Sequence, residues 1–181
     1  TPAMLDTAIV NGTLVDGTGA PARRADIGVR DGRIVAVGEL DEPAARTVDA
    51  DGLVVTPGFV DPHTHLDAQL CWDPGASPLT SHGVTTVILG LCGFGVAPVA
   101  PGGGDYLLRS LERVEEIPYA STRIGVPFEW SSWADYLAYL ARQPLGVNVA
   151  GFVPHSALRC FAMGERARGG VASAADRAAM L

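Results

Sequence analysis

Two histidines one residue apart, His63 and His65, close an apolar stretch that reads Val55-Thr-Pro-Gly-Phe-Val-Asp-Pro-His-Thr-His-Leu-Asp67. Side chains two apart on a strand point to the same side. A strand continuing through this stretch projects both imidazoles from its C-terminal end, where they form a natural pair of metal ligands. A bare His-x-His more often marks two surface histidines in a turn, so its surroundings must decide. Two further apolar segments end in similar fashion. Val84-Thr-Thr-Val-Ile-Leu-Gly-Leu runs into Cys92, and Val147-Asn-Val-Ala-Gly-Phe-Val runs through Pro154 into His155. Three successive strand ends therefore carry ligand-type or catalytic side chains. The active sites of β/α barrels are built from such ends.

The elements that position these residues fall into two parts, with a boundary expected between 54 and 55. Residues 1–54 read as a small antiparallel β module. Asn11-Gly12 and Asp31-Gly32 each separate two short strands, and these dipeptides tolerate the positive φ angles of a two-residue hairpin. From Leu53 the strands become nearly continuous apolar runs, as in a parallel α/β sheet buried on both faces. Between them the pattern predicts a short helix over 77–82. Asp105 is expected to cap a second helix bearing Leu107, Leu111 and Val114, which Pro118 stops. A long connection covers 119–130, and a third helix begins at a Ser132/Asp135 capping box. Another helix starts at Ser173 and is cut off at Leu181 after about two turns without a stop signal. A barrel takes about 250 residues and eight strands. The expectation is thus an α/β chain: a β-sandwich module (1–54), then the first three strands of a TIM-type barrel (55–181) that is truncated.

Composition narrows the function. The 181 residues are 48 % hydrophobic and 18 % charged, which describes a globular chain. A net charge of -7 with no basic run argues against nucleic-acid binding. All 13 basic residues are arginine. No apolar run is long enough to span a membrane, and the start lacks the features of a signal peptide. Three widely spaced cysteines do not form a disulfide framework and predict a reducing, cytoplasmic setting.

Taken together, several motifs resemble a known family. Pro57-Gly-Phe-Val-Asp-Pro-His-Thr-His-Leu-Asp-Ala-Gln69 is similar to the first-strand motif of the amidohydrolase superfamily. Trp72-Asp-Pro, His82-Gly-Val-Thr-Thr-Val, Cys92-Gly-Phe-Gly-Val-Ala-Pro98, Val114-Glu-Glu-Ile-Pro118, Pro154-His-Ser-Ala-Leu-Arg159 and Met163-Gly-Glu-Arg-Ala167 resemble the N-acyl-D-amino-acid deacylases, or D-aminoacylases. The resemblance implies zinc-dependent hydrolysis of N-acyl-D-amino acids to a carboxylate and a D-amino acid. It matches His63 and His65 to the histidine pair of the weaker of two zinc sites, and Cys92 to a cysteine that can bridge two metals. The histidines of the tight zinc and the acid/base aspartate are expected beyond Leu181, so no catalytic residue is assigned within the chain, and a working site needs the missing C-terminal part. Leu91 departs from the asparagine usual in the family before the cysteine.

Other residues stay open. Asp61 and Asp67 bracket the histidine pair and either orient an imidazole as supporting partners or cap a loop. His155 either contacts substrate, supports the site or makes a structural hydrogen bond. His82 reads as structural, and Cys71 and Cys160 as small buried hydrophobes. The glycines around 93–104 lack the Gly-Lys-Ser/Thr of a phosphate loop. Two rival functions are a cyclic-amide hydrolase of the hydantoinase or dihydroorotase kind and a non-catalytic metal-binding fragment. The first usually has a lysine where Cys92 stands, and this chain contains none.

Overall fold

The computed structural model describes residues 4–181. The chain folds as two compact units, Thr1–Pro57 and Gly58–Leu181.

Among the described residues the first unit holds seven strands: β1 (Leu5–Val10), β2 (Thr13–Leu14), β3 (Arg23–Arg24), β4 (Asp26–Arg30), β5 (Arg33–Gly38), β6 (Ala44–Asp49) and β7 (Val54–Val55). They form two sheets, β5-β4-β1-β6 and β3-β2-β7, around Leu5, Ala8, Leu14 and Ile27. Asp31 and Gly32 take φ angles of 51° and 68° and close the β4–β5 hairpin as expected. Asn11-Gly12 does not make a hairpin. Its strands belong to different sheets, so the dipeptide turns a corner between them. The Asn11 N–H donates to Asp26 Oδ1 (2.9 Å), and its Nδ2 donates to Asp49 Oδ1 (3.0 Å). A Cβ on Gly12 would sit 2.5 Å from Val55 Cγ2. The unit is also mixed rather than antiparallel. β1 pairs parallel to β6 and β2 parallel to β7, because both partners return from later in the chain.

The second unit is built on three parallel strands, β8 (Phe59–Asp61), β9 (Val84–Leu89) and β10 (Asn148–Gly151), in the order β10-β9-β8. The connections carry α1 (Ser77–Thr80), α2 (Gly104–Glu115), α3 (Tyr119–Gly125) and α4 (Trp133–Leu140). Beyond β10 come α5 (His155–Met163) and α6 (Ala174–Ala179). Val87 and Leu89 point from β9 into the core, with Leu107, Leu108 and Leu111 of α2, Tyr136 and Leu140 of α4 and Ala157 of α5. Such alternation places one sheet face against helices.

The expected single buried strand from Leu53 to Val60 is two strands in two units. Pro57 removes a ladder donor at the break. Leu53, Val54, Phe59 and Val60 are 57–62 % exposed. Residues 119–125, expected as part of a connection, form α3. Pro118 supplies a fixed φ at its start, which a search for apolar periodicity does not register. Asp105 lies inside α2 rather than at its cap and pairs with Arg123 (3.2 Å). The capping box expected at Ser132 forms, and the helix start expected at Ser173 carries a second one. Ser132 Oγ accepts from the Asp135 N–H (3.1 Å), and Ser173 Oγ accepts from the Asp176 N–H (3.1 Å). Among the described residues no helix is long and apolar enough to cross a membrane.

Candidate metal centre

β8 ends at Asp61, earlier than expected, because Pro62 cannot extend the ladder. The chain does not leave the sheet. The Thr64 N–H and Oγ1 both donate to the Ile88 carbonyl of β9 (3.2 and 3.0 Å), which pins the segment between the two histidines. The His63 N–H donates to Asp61 Oδ1 (3.2 Å). Asp61 thus shapes the backbone of the turn rather than holding an imidazole. The result is the convergence that strand geometry would have given: His63 Nε2 and His65 Nε2 lie 3.4 Å apart.

Cys92 comes from the end of the neighbouring strand. Gly90 adopts φ 75°, and a Cβ there would stand 2.3 Å from the Phe152 carbonyl oxygen, so only glycine fits the turn. The Gly93 N–H closes this turn onto the Gly90 carbonyl (2.9 Å), and Gly93 in turn accepts from the Ser156 N–H at the start of α5 (2.8 Å). Ligand atoms of His63, His65 and Cys92 all lie within 4.8 Å of one another. Two nitrogens bound tetrahedrally to one zinc at about 2.0–2.1 Å would be about 3.3 Å apart. The imidazole pair meets that spacing without rearrangement, and two imidazoles with a thiolate are a zinc-type donor set. The residues present fit the ion.

The surroundings add a residue that the sequence reading did not single out. Glu115, the last residue of α2, places Oε1 2.7 Å from His65 Nδ1. The contact is short but not aligned as a hydrogen bond, and the buried Oε1 has no hydrogen-bond partner among the described residues. Burial raises the Glu115 pKa, while His65 pulls it down. Asp67 is buried, with Oδ1 also unpartnered. Burial, reinforced by the charge of Glu115, pushes its carboxyl up to about 7. Its carbonyl accepts from the Tyr136 hydroxyl (2.7 Å), tying the segment after His65 to α4. His155 begins α5 beside the Cys92 turn and does not join the cluster. Burial pushes the Cys71 thiol up to about 12, in keeping with an inert side chain.

Comparison with known proteins places this arrangement in a family. Residues 46–181 match the Amidohydrolase family. The chain belongs to the amidohydrolase family. Residues 1–59 match the N-terminal domain of the urease alpha-subunit. This amidohydrolase chain is 40 % identical over 182 residues to an N-acyl-D-aspartate deacylase of Alcaligenes xylosoxydans xylosoxydans, covering 99 % of the chain and 34 % of that protein. It is 42 % identical over 164 residues to a D-aminoacylase of the same organism, covering 90 % and 32 %. The crystal structure of an N-acyl-D-glutamate deacylase from Bordetella bronchiseptica, complexed with zinc and a phosphonate mimic of the tetrahedral intermediate, superposes with a TM-score of 0.80. That match has 40 % identity and covers 98 % of this chain and 35 % of that one. The expected resemblance to the D-aminoacylases thus holds over nearly the whole chain. The fold is the mixed α/β fold of their N-terminal portion, with sheets that do not close. The chain spans about a third of the length of the relatives it matches.

Proposed function

We propose that this chain is the N-terminal, metal-binding portion of a zinc-dependent hydrolase of N-acyl-D-amino acids. The observation that carries the reading is the convergence of His63, His65 and Cys92 from the ends of two adjacent parallel strands. His63 and His65 would hold zinc through Nε2, and Cys92 through its thiolate, which can be shared with a second zinc. Bound zinc supplies an acidified water and a Lewis acid for the amide carbonyl. The chain's own contribution is positioning. Thr64 fixes the histidine segment to β9, and Gly90 and Gly93 fix the cysteine turn. By resemblance, the two remaining histidines and the acid/base aspartate lie in the part of the relatives that this chain does not cover.

The same reading makes β8, β9 and β10 the first strands of a barrel and residues 1–54 half of a composite β-sandwich. The exposure of Phe59 and Val60 on β8 supports this, since strands facing water with such side chains require cover. Three free cysteines support a reducing cytoplasm.

The test is hydrolysis by the full-length protein of a panel of N-acetyl-D-amino acids, with the L-enantiomers and a hydantoin as controls. D-selective release of acetate, lost on chelation and restored by zinc, is the expected result. A zinc-loaded protein that leaves the D-series intact, or cleaves the hydantoin instead, overturns the reading.

A further inference from the structure

Glu115 stands where local chemistry disfavours it. It is the last residue of a twelve-residue helix, at the end where the backbone dipole repels negative charge. Its side chain is 17 % exposed, which adds a desolvation penalty. No arginine offsets either cost: among the described residues its one ion-pair partner is His65. The following Glu116 takes a left-handed φ of 56° and Pro118 ends the path, so the helix stops with Glu115 directed at the imidazole. A carboxylate kept against two local penalties marks a position held for another purpose.

The contacts assign that purpose. His65 has two ring nitrogens in different surroundings. Nδ1 faces the Glu115 carboxylate at 2.7 Å, and Nε2 faces His63 Nε2 at 3.4 Å. An imidazole donating from Nδ1 leaves a lone pair on Nε2, and the ring orientation is then set from behind. We propose that Glu115 is the positioning residue of the metal centre, its carboxylate holding His65 in the Nδ1–H tautomer so that Nε2 faces the cation. The inference rests on the metal-site reading above. The misaligned approach is consistent with it. Oε1 has no other hydrogen-bond partner among the described residues, so its lone pairs are free for the Nδ1–H.

The test uses the full-length protein, stripped by chelation, with zinc affinity at the weaker site read by competition with a chromophoric chelator. Cobalt(II) is added separately as a spectroscopic probe. Glu115→Gln keeps the shape and removes the charge; Glu115→Ala removes both; His65→Ala is the reference for loss of the ligand itself. The expected result is a loss of affinity of about 10-fold in E115Q, rising towards about 100-fold in E115A. It is accompanied by a changed cobalt absorption band and a melting temperature of metal-free E115Q that is not lowered. Parent-like affinity in both Glu115 variants, with His65→Ala impaired, overturns the positioning role and leaves the metal site standing. Impairment in E115A alone also overturns it, since packing then accounts for the effect. Parent-like affinity in His65→Ala overturns the metal-site reading itself.

Discussion

Replacing Tyr136 by phenylalanine tests how the segment behind the metal centre is held. The ring is fully buried, packed against Trp130 (centroids 4.8 Å apart) and Trp133 (5.5 Å), and phenylalanine keeps both contacts. Only the hydroxyl is lost, and with it the 2.7 Å bond to the Asp67 carbonyl, 69 residues away in sequence. Burial holds the phenol pKa well above its ordinary 10, so the group remains a donor at every working pH. The other polar contact of that carbonyl is the Cys71 Sγ at 4.0 Å, a weak donor. The net worth of a hydrogen bond is about 1 kcal/mol, and a buried acceptor left without a partner raises the cost to about 1–3 kcal/mol. Tyr136→Phe should therefore lower the unfolding free energy of the metal-free protein by that amount, read as a lower urea midpoint with an unchanged slope. Zinc affinity should fall as well, because Asp67 follows His65 by two residues. Tyr136→Ala, which also opens a cavity, should cost about 3–5 kcal/mol. A Tyr136→Phe protein with the midpoint of the parent would refute the reasoning: the carbonyl would not depend on this donor.

Two further outcomes follow from the geometry. Gly90→Ala must place a Cβ 2.3 Å from the Phe152 oxygen at a φ of 75°. The left-handed backbone alone costs about 1–2 kcal/mol, and the clash adds to it, so both melting temperature and zinc binding should fall; an unchanged melt and titration would contradict the turn geometry. Asp176 is held well below the ordinary carboxylate range, first by the Arg166 guanidinium and then by Ser173. A depressed folded pKa stabilises the fold at neutral pH, and this contribution is lost as pH falls through about 4 towards the folded value. Asp176→Asn should therefore be less stable than the parent at pH 7, with the gap closing in acid. Denaturation midpoints differing by the same amount from pH 7 to pH 3 would count against it.

The parallel strands and both capping boxes were legible in the sequence because each is a local pattern. β-branched runs mark β9 and β10, and Ser132/Asp135 and Ser173/Asp176 stand at fixed spacing. The convergence of the two histidines was also legible, though the reason given for it was incomplete. Pro62 ends the strand, and Thr64 bonding to β9 restores the direction. What escaped the sequence depended on partners distant in the chain. Asn11-Gly12 has hairpin chemistry, but β1 finds β4 and β6 instead of β2. Residues 53–60 are apolar enough for a core strand, yet the break at Pro57-Gly58 assigns them to separate units. Glu115 stood in the sequence only within the Val114-Glu-Glu-Ile-Pro118 motif, with no role attached: a glutamate near a helix end reads as solvated until the fold brings His65 against it.

His63, His65 and Cys92 lie within thirty consecutive residues. The entropy lost in closing a loop grows slowly with its length, and a loop of this size is among the cheaper ones to close. β8, β9 and the connection over 62–83 bring the three donors together, and Glu115, Tyr136 and Ser156 add their support from later in the chain. During synthesis, which proceeds from the N-terminus, the same residues leave the ribosome before β10 is made. An ion captured there would tie two strands together while the rest of the polypeptide is still emerging. With a metal bound as proposed, the local placement of the donors would make them a folding element as well as a chemical one.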